Sequence, residues 1–374
     1  MALPLPKQRL AAVRDEMRSR ELDALLVYSQ KRGHIAYLSG YRPNYHTNSA
    51  LLLLPREDDP ILQIKFGFDM PRAREISWVS DIRTGCSEDA VCLLRQFIGV
   101  IEEKGLQNAR LGWVASDHTT EEMSAALFDA LHTGLPKASI ERASDLVNRV
   151  RLRKEPAEVD LLRRSTQVAE IAGDAIRSSI KLGAEDFAVA GSAAGAAVAA
   201  GADRCDVLLS VDPSRYALPS SHQRFQHGGP ISMELTVECD GYWIQICRTF
   251  SLGPPDDRQK RVFAACRDAY SASVDAARPG VRAADVANAA IAVVDKAGYQ
   301  GCIKYGLGHG IGLDLPEPFS IDPTENAVLV DGMCLVLHVG VWADGASGFV
   351  GGPIIVNGAG NIILDHPQQT LMEI

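Results

Sequence analysis

The sequence predicts two domains in succession: an α/β domain over 1–148, then an α+β domain over 149–374 with an internal pseudo-two-fold. Three observations carry that expectation. The chain has 374 residues, more than one domain at roughly 150 residues each. Apolar strand-like runs and amphipathic helical stretches alternate through the first part. A basic segment, Arg149-Val-Arg-Leu-Arg-Lys-Glu-Pro156, then interrupts the alternation, and its proline suits the first turn of a following helix.

The first domain opens on a helix from Gln8 to Glu21, where Leu10, Val13 and Met17 recur at helical spacing. Leu22–Tyr28 reads as a short buried strand and Gly33–Leu38 as a helical patch stopped by Ser39-Gly40. Ala50–Leu54 and Pro60–Lys65 are two strands parted by a turn rich in Pro, Asp and Glu. A helix over Ala90–Lys104, a strand over Arg110–Val114 and a helix over Thr120–Leu131 continue the pattern. Past the junction, a long amphipathic helix runs from Ala157 to Lys181. Helices at Phe187–Ala200, Gln259–Ala277 and Arg282–Ala297 alternate with strand-like runs at Val207–Val211, Pro230–Thr236, Tyr242–Thr249, Met333–Val341 and Pro353–Val356. Two rounds of helix, helix and strands imply two facing halves with a cleft between them.

Composition removes several classes of function. Hydrophobic residues are 46% and charged residues 23% of the chain, as in ordinary globular proteins. Net charge is −9 with no basic stripe, so nucleic acid is not an expected partner. The N-terminal residues lack the apolar core of a signal peptide and no apolar run would span a membrane, so the expectation is a cytoplasmic protein with no membrane partner. Eight cysteines are scattered without a CxxC pair, which reads as buried reduced thiols, with no disulfide framework and no zinc knuckle.

Four strings carry chemistry: Val150-Arg-Leu-Arg-Lys-Glu-Pro-Ala-Glu158, Asp240-Gly-Tyr-Trp-Ile-Gln-Ile-Cys-Arg-Thr-Phe250, Gly308-His-Gly-Ile-Gly-Leu-Asp314 and Asp331-Gly-Met-Cys-Leu-Val-Leu-His338. In order and spacing they resemble the creatinase/aminopeptidase P/methionine aminopeptidase family, whose catalytic domain has the "pita-bread" fold. In the family's peptidases two aspartates, one histidine and two glutamates hold two metal ions, since only anionic oxygens offset the repulsion of two nearby cations. By motif these positions fall on Glu234, Gln245, His309, His338 and Gly351. Glu234 is the one carboxylate left among them, and no Asp or Glu between Gly345 and Leu364 offers a replacement for the last.

The resemblance therefore implies the branch that has lost its metals, as creatinase and the ectoine hydrolases have, and no cofactor. The expected function is metal-independent hydrolysis of a non-peptide C–N bond in a small zwitterion such as a guanidino or amidine compound. Two rivals stand beside it: a non-catalytic small-molecule or peptide-binding protein, and a single-metal hydrolase using Glu234, His309 and His338. Glu234, buried in an apolar run, needs a cation or a proton and reads as both anchor and catalytic group. His309, His338 and His222 are the acid/base candidates; the family's upstream histidine column falls on Leu218, with His222 the nearest histidine. Gln245 and Glu317 are expected to bind substrate, Glu317 standing where the peptidases carry an acidic residue after a further histidine. Creatinase-like dimers imply a homodimer in which a loop of one subunit closes the other's site, here through Arg42, Tyr45 and His46. Asp240-Gly241 reads as a hairpin turn and Arg248 as internally paired.

Overall fold

The structure is a computed structural model that describes residues 7–29, 33–43, 49–115, 124–212, 216–343, 345–366 and 368–374. It divides into two compact units, Met1–Arg151 and Leu152–Ile374.

In the first unit the chain forms α1 (Lys7–Ser19), β1 (Ala24–Ser29), α2 (Gly33–Ser39), β2 (Ala50–Pro55), β3 (Ile61–Ile64), α3 (Met70–Ile76) and β4 (Asp81–Thr84). It continues through α4 (Ala90–Glu103), β5 (Arg110–Val114), α5 (Ala125–Gly134), β6 (Ser139–Arg142) and α6 (Ser144–Arg151). The six strands make one mixed sheet in the order β4-β3-β2-β1-β5-β6. β1 and β2 are buried along their whole length, as their unbroken apolar runs require. α4 places Leu93, Leu94, Phe97, Ile98 and Ile101 on one face against this sheet, and the Asp89 side chain caps its first turn by accepting from the Cys92 amide.

Four elements here escaped the sequence reading. α3 and α6 are short, and β4 and β6 are edge strands of mixed polar sequence with no fully buried side chain, so no apolar period betrays the strands. The cysteine expectation is corrected too. The turn that leads into α4 brings Cys86 and Cys92 to a Cα separation of 5.7 Å, and they form a disulfide.

The second unit contains α7 (Pro156–Ser179), α8 (Asp186–Ala199), β7 (Arg204–Ser210), β8 (Leu218–Pro219), β9 (Pro230–Cys239), β10 (Tyr242–Ser251), α9 (Asp257–Ala276) and α10 (Ala283–Lys296). β11 (Gly308–Gly310), β12 (Glu317–Ser320), β13 (Cys334–Ala343) and β14 (Ala346–Ile355) follow. They build one sheet in the order β12-β11-β13-β14-β10-β9-β7-β8, with the short strands Ile362–Ile363 and Met372–Glu373 added on β14 and β10.

α7 opens at Pro156 with a reciprocal capping box between Glu155 and Glu158. Asp240 and Gly241 form the two-residue turn joining β9 to β10, both with positive φ (52° and 85°), the geometry of a type I′ hairpin. α7 packs on β9 and β10, and α9 on β13 and β14, so the two halves repeat one plan. Leu335, Leu337, Val339 and Val341 of β13 join Val262, Phe263 and Cys266 of α9 in the core. Ile246 of β10 meets α7 at Gly173. Because side chains alternate along a strand, Val336 and His338, and likewise Gln245 and Cys247, face away from these helices.

β14 is the largest surprise, since the sequence suggested a strand only from Pro353. Its glycines are there for contact: a Cβ at Gly348 would lie 2.7 Å from Cys266 Sγ and 3.2 Å from the Phe263 Cα of α9. Among the described residues no helix is long and apolar enough to cross a membrane.

Candidate active site

The strand register assembles the site. Glu234 of β9 lies opposite Cys247 of β10, Cys247 opposite Gly351 of β14, and Gly351 opposite His338 of β13. These four positions form a row across the sheet on the face turned away from α7 and α9. Gln245, opposite Thr236, stands one diagonal step from Glu234 on that face. His309, opposite Val336, stands one diagonal step from His338, and the two imidazoles are 6.1 Å apart. The glycines beside His309 let β11 close on its neighbours: a Cβ at Gly308 would meet the Val336 carbonyl oxygen at 2.2 Å, and one at Gly310 the Pro318 carbonyl oxygen at 2.4 Å.

His309 is fixed at both nitrogens. Nδ1 lies 2.8 Å from the Gly310 carbonyl oxygen, so it carries the hydrogen and donates it. Nε2 lies 3.0 Å from the Gln245 amide at Oε1. It meets Gln245 either as the second N–H of an imidazolium or, with the amide turned over, as an acceptor from the Gln245 NH2 group. In both arrangements the nitrogen is engaged by Gln245.

His338 is buried, and burial followed by the neighbouring His309 pushes its pKa down to about 3, so the ring is neutral near pH 7. Among the described residues its Nδ1 has no hydrogen-bond partner. Glu234 is 8% exposed, and burial raises its carboxyl above the usual range against the opposing effect of a hydrogen bond from Tyr305. Its Oε2 is buried, without a hydrogen-bond partner among the described residues. Tyr305 is held well above the ordinary phenol range by burial and by Glu234, and so stays a donor. Its ring also packs edge-on to His338 at 5.5 Å. Sequence reasoning missed Tyr305; the available signal was its place in Tyr305-Gly-Leu-Gly-His309, one turn of chain before the singled-out histidine.

Two expectations need correction. Glu317 is no open substrate ligand: Lys154 Nζ binds one of its oxygens at 2.7 Å with both side chains buried, and the Leu313 amide donates to the other at 3.0 Å. His222 is exposed, with φ 62°, and its ring rests 4.5 Å from Phe187 at the start of α8. Among the described residues no hydrogen bond or ring contact joins it to Glu234, His309 or His338, because its loop is tied to α8 through Ser221 N donating to Asp186. The Arg42 carbonyl accepts from Arg72 within the first unit, while Tyr45 and His46 lie outside the described residues. Arg248 pairs internally as expected, with Asp365 at 2.6 Å.

The donor set does not fit two metal ions. The five positions offer one carboxylate, one amide, two imidazoles and a bare backbone, where two divalent ions need several anionic oxygens. Nor can the missing carboxylate simply be supplied, because a Cβ at Gly351 would lie 2.4 Å from His338 Cβ. The three-donor variant fares no better: among the described residues, the one group of three His, Cys, Asp or Glu donors gathered within 4.8 Å is Cys86, Glu88 and Cys92, which belong to the first unit.

Comparison with known proteins gives the setting. Residues 160–358 match metallopeptidase family M24, and residues 9–153 match the creatinase/prolidase N-terminal domain. A Xaa-Pro dipeptidase of Lactobacillus helveticus is 25% identical over 338 residues, which are 84% of this chain and 85% of that protein. An uncharacterized hydrolase/peptidase of Sinorhizobium fredii is 27% identical over 364 residues, 92% of this chain and 90% of its own. The crystal structure of the prolidase from Pyrococcus horikoshii superposes with a TM-score of 0.84 at 20% identity, covering 98% of this chain and all of that one. These matches overturn the expected metal-independent cleavage of a non-peptide C–N bond. The named relatives are a Xaa-Pro dipeptidase, an uncharacterized hydrolase/peptidase and a prolidase.

Proposed function

Since the chain belongs to metallopeptidase family M24 and is a hydrolase, we propose that it cleaves the amide bond of a short peptide in the Glu234–His309 cleft. One observation carries the reading: Glu234, Gln245, His309 and His338 still project polar side chains from β9, β10, β11 and β13 on one face of the sheet. A cleft that had lost its chemistry would gain stability by filling such positions with apolar groups, since each buried polar atom costs free energy unless paired.

No step is routed through a metal, because the donor set does not fit one. Glu234, its carboxyl raised by burial, is suited to take a proton from an attacking water and return it to the leaving nitrogen. Tyr305, beside Glu234, opposes the effect of burial and favours the ionised carboxylate. Gln245 and Gly310 engage both nitrogens of His309 and fix its ring, so Nε2 can serve a carbonyl oxygen that gains charge only where that oxygen takes the place of the Gln245 amide. His338, neutral and buried, forms the wall behind them.

The test is a panel of Xaa-Pro and other dipeptides, incubated with the full chain with and without added manganese or cobalt, with free amino acids quantified by chromatography. Release of free amino acid from at least one dipeptide is expected, with Glu234→Gln slower by about 10²–10⁴-fold. No release from any dipeptide in either condition overturns the proposal.

A further inference from the structure

Outside the cleft, the turn from β4 into α4 gathers metal-ligating side chains of two kinds. Within Cys86-Ser-Glu-Asp-Ala-Val-Cys92, the two sulfurs and a Glu88 carboxylate oxygen all lie within 4.8 Å of one another. Both cysteines are half-buried and Glu88 is exposed, so an ion can reach the group from solvent. In the oxidised chain the sulfurs are joined as a disulfide. A disulfide offers a metal no thiolate, so the pair can ligate only after reduction.

The backbone around the turn keeps the donors together when that bond opens. The Gly85 amide donates to the Ile64 carbonyl of β3 at 2.9 Å. A Cβ at Gly85 would lie 2.3 Å from both Gln63 Nε2 and Leu93 Cδ1, so the residue before Cys86 is wedged between β3 and α4. On the other side, the Asp89 side chain accepts from the Cys92 amide at 2.7 Å, and Gln63 donates to the Leu93 carbonyl at 3.1 Å. These ties hold the two Cα atoms near their separation of 5.7 Å. Two zinc–sulfur bonds of about 2.3 Å at a tetrahedral angle set their sulfurs about 3.8 Å apart, a span that side-chain rotation on such a frame reaches. Cys92 is the third residue of α4, a helix of 14 residues whose first-turn amides favour a thiolate there. Asp89 is occupied as the cap, which leaves Glu88 as the carboxylate beside the sulfurs.

We propose that the reduced chain binds one thiophilic divalent ion of the zinc class through Cys86, Cys92 and Glu88, and that disulfide formation and metal binding exclude each other. Reduction takes two electrons and two protons from a thiol-class reductant, which leaves as its own disulfide. Metal entry forms two metal–sulfur bonds and one metal–oxygen bond and releases the two thiol protons, with water in the fourth position. Two sulfur donors select zinc or cobalt over magnesium or calcium, which take oxygen ligands. The site lies in the first unit and does not rest on the peptide-hydrolase reading.

Cobalt(II) is the probe, since cobalt–thiolate bonds give a charge-transfer band in the near ultraviolet that carboxylate and imidazole ligands do not. The full chain is titrated before and after treatment with a phosphine, which takes over the reduction and ends as the phosphine oxide. The six other cysteines are free in both forms, so any band they give is common to both. The reduced parent is expected to develop the band up to one equivalent per chain and to lose it to added zinc, while the oxidised parent develops none. Cys86→Ser and Cys92→Ser should each lose most of the band. Glu88→Gln should keep it with affinity weaker by about tenfold or more, and Asp89→Asn, which retains a cap, should bind as the parent does. Circular dichroism confirms the fold of each variant, and the two forms of the parent decide the question where a variant fails to fold. No band in the reduced parent, an equal band in the oxidised parent, an undiminished band in either serine variant, or unchanged affinity in Glu88→Gln overturns the site.

Discussion

At the scale of single residues, the cleft depends on which buried polar groups are paired. Lys154 and Glu317 are satisfied by each other at 2.7 Å, with side chains only 1% and 3% exposed. Lys154→Met should therefore cost about 3 kcal/mol or more in urea unfolding by stranding the Glu317 charge, while the double variant Lys154→Met/Glu317→Leu should recover most of the loss. His338 leads to a pH prediction. Its folded pKa is about 3 against 6.5 for a free imidazole, so between those values the unfolded chain binds a proton that the folded chain does not. The contribution is complete above pH 6.5 and is lost as pH falls toward 3, by up to about 1.4 kcal/mol per unit. His338→Gln should remove that part of the slope from the urea midpoints; an unchanged slope would contradict the assignment. Glu234, His309, His338 and Gln245 were legible in the sequence because motif spacing fixes strand register. Glu317 and His222 were misread because a partner distant in sequence, Lys154 or Phe187, decides where each side chain goes.

At the scale of elements, β14 explains why the cleft has its present chemistry. Gly351 lets β13 approach so closely that a Cβ there would lie 2.7 Å from both His338 Cα and the Leu337 carbonyl oxygen. Gly351→Glu, which writes the family's carboxylate back into its position, should destabilise the chain by about 1–3 kcal/mol through overpacking, read as a lowered urea midpoint. A variant as stable as the parent would show that the strands can part. The same strand shows where sequence reading stops. Its Ala-Ser-Gly-Phe-Val-Gly-Gly start has too many glycines to read as a strand, and only tertiary contacts make them useful: α9 at Gly348, β13 at Gly351 and Asp365 at Gly352. The long amphipathic helices and the Asp240-Gly241 hairpin were legible because their signals are local.

At the scale of the whole molecule, the two-unit plan followed from alternating periods and from the basic segment before Pro156, whereas the pairing of Cys86 with Cys92 did not, since spacing alone does not show that a turn folds back. Mass spectrometry after alkylation without reductant should find six of the eight cysteines modified in the unfolded chain, with Cys86 and Cys92 protected. Modification of all eight would contradict the disulfide. The pseudo-repeat of helix pairs on one sheet leaves the opposite face for the row from Glu234 to His338, and that row is what the proposed reaction depends on. The most direct measurement is steady-state release of free amino acid from the panel of dipeptides, with and without added manganese or cobalt, by the full chain and by Glu234→Gln, side by side. Turnover by the parent and a loss of at least about 100-fold in the variant are predicted. Turnover by neither protein, or equal turnover by both, would contradict a hydrolase working through Glu234.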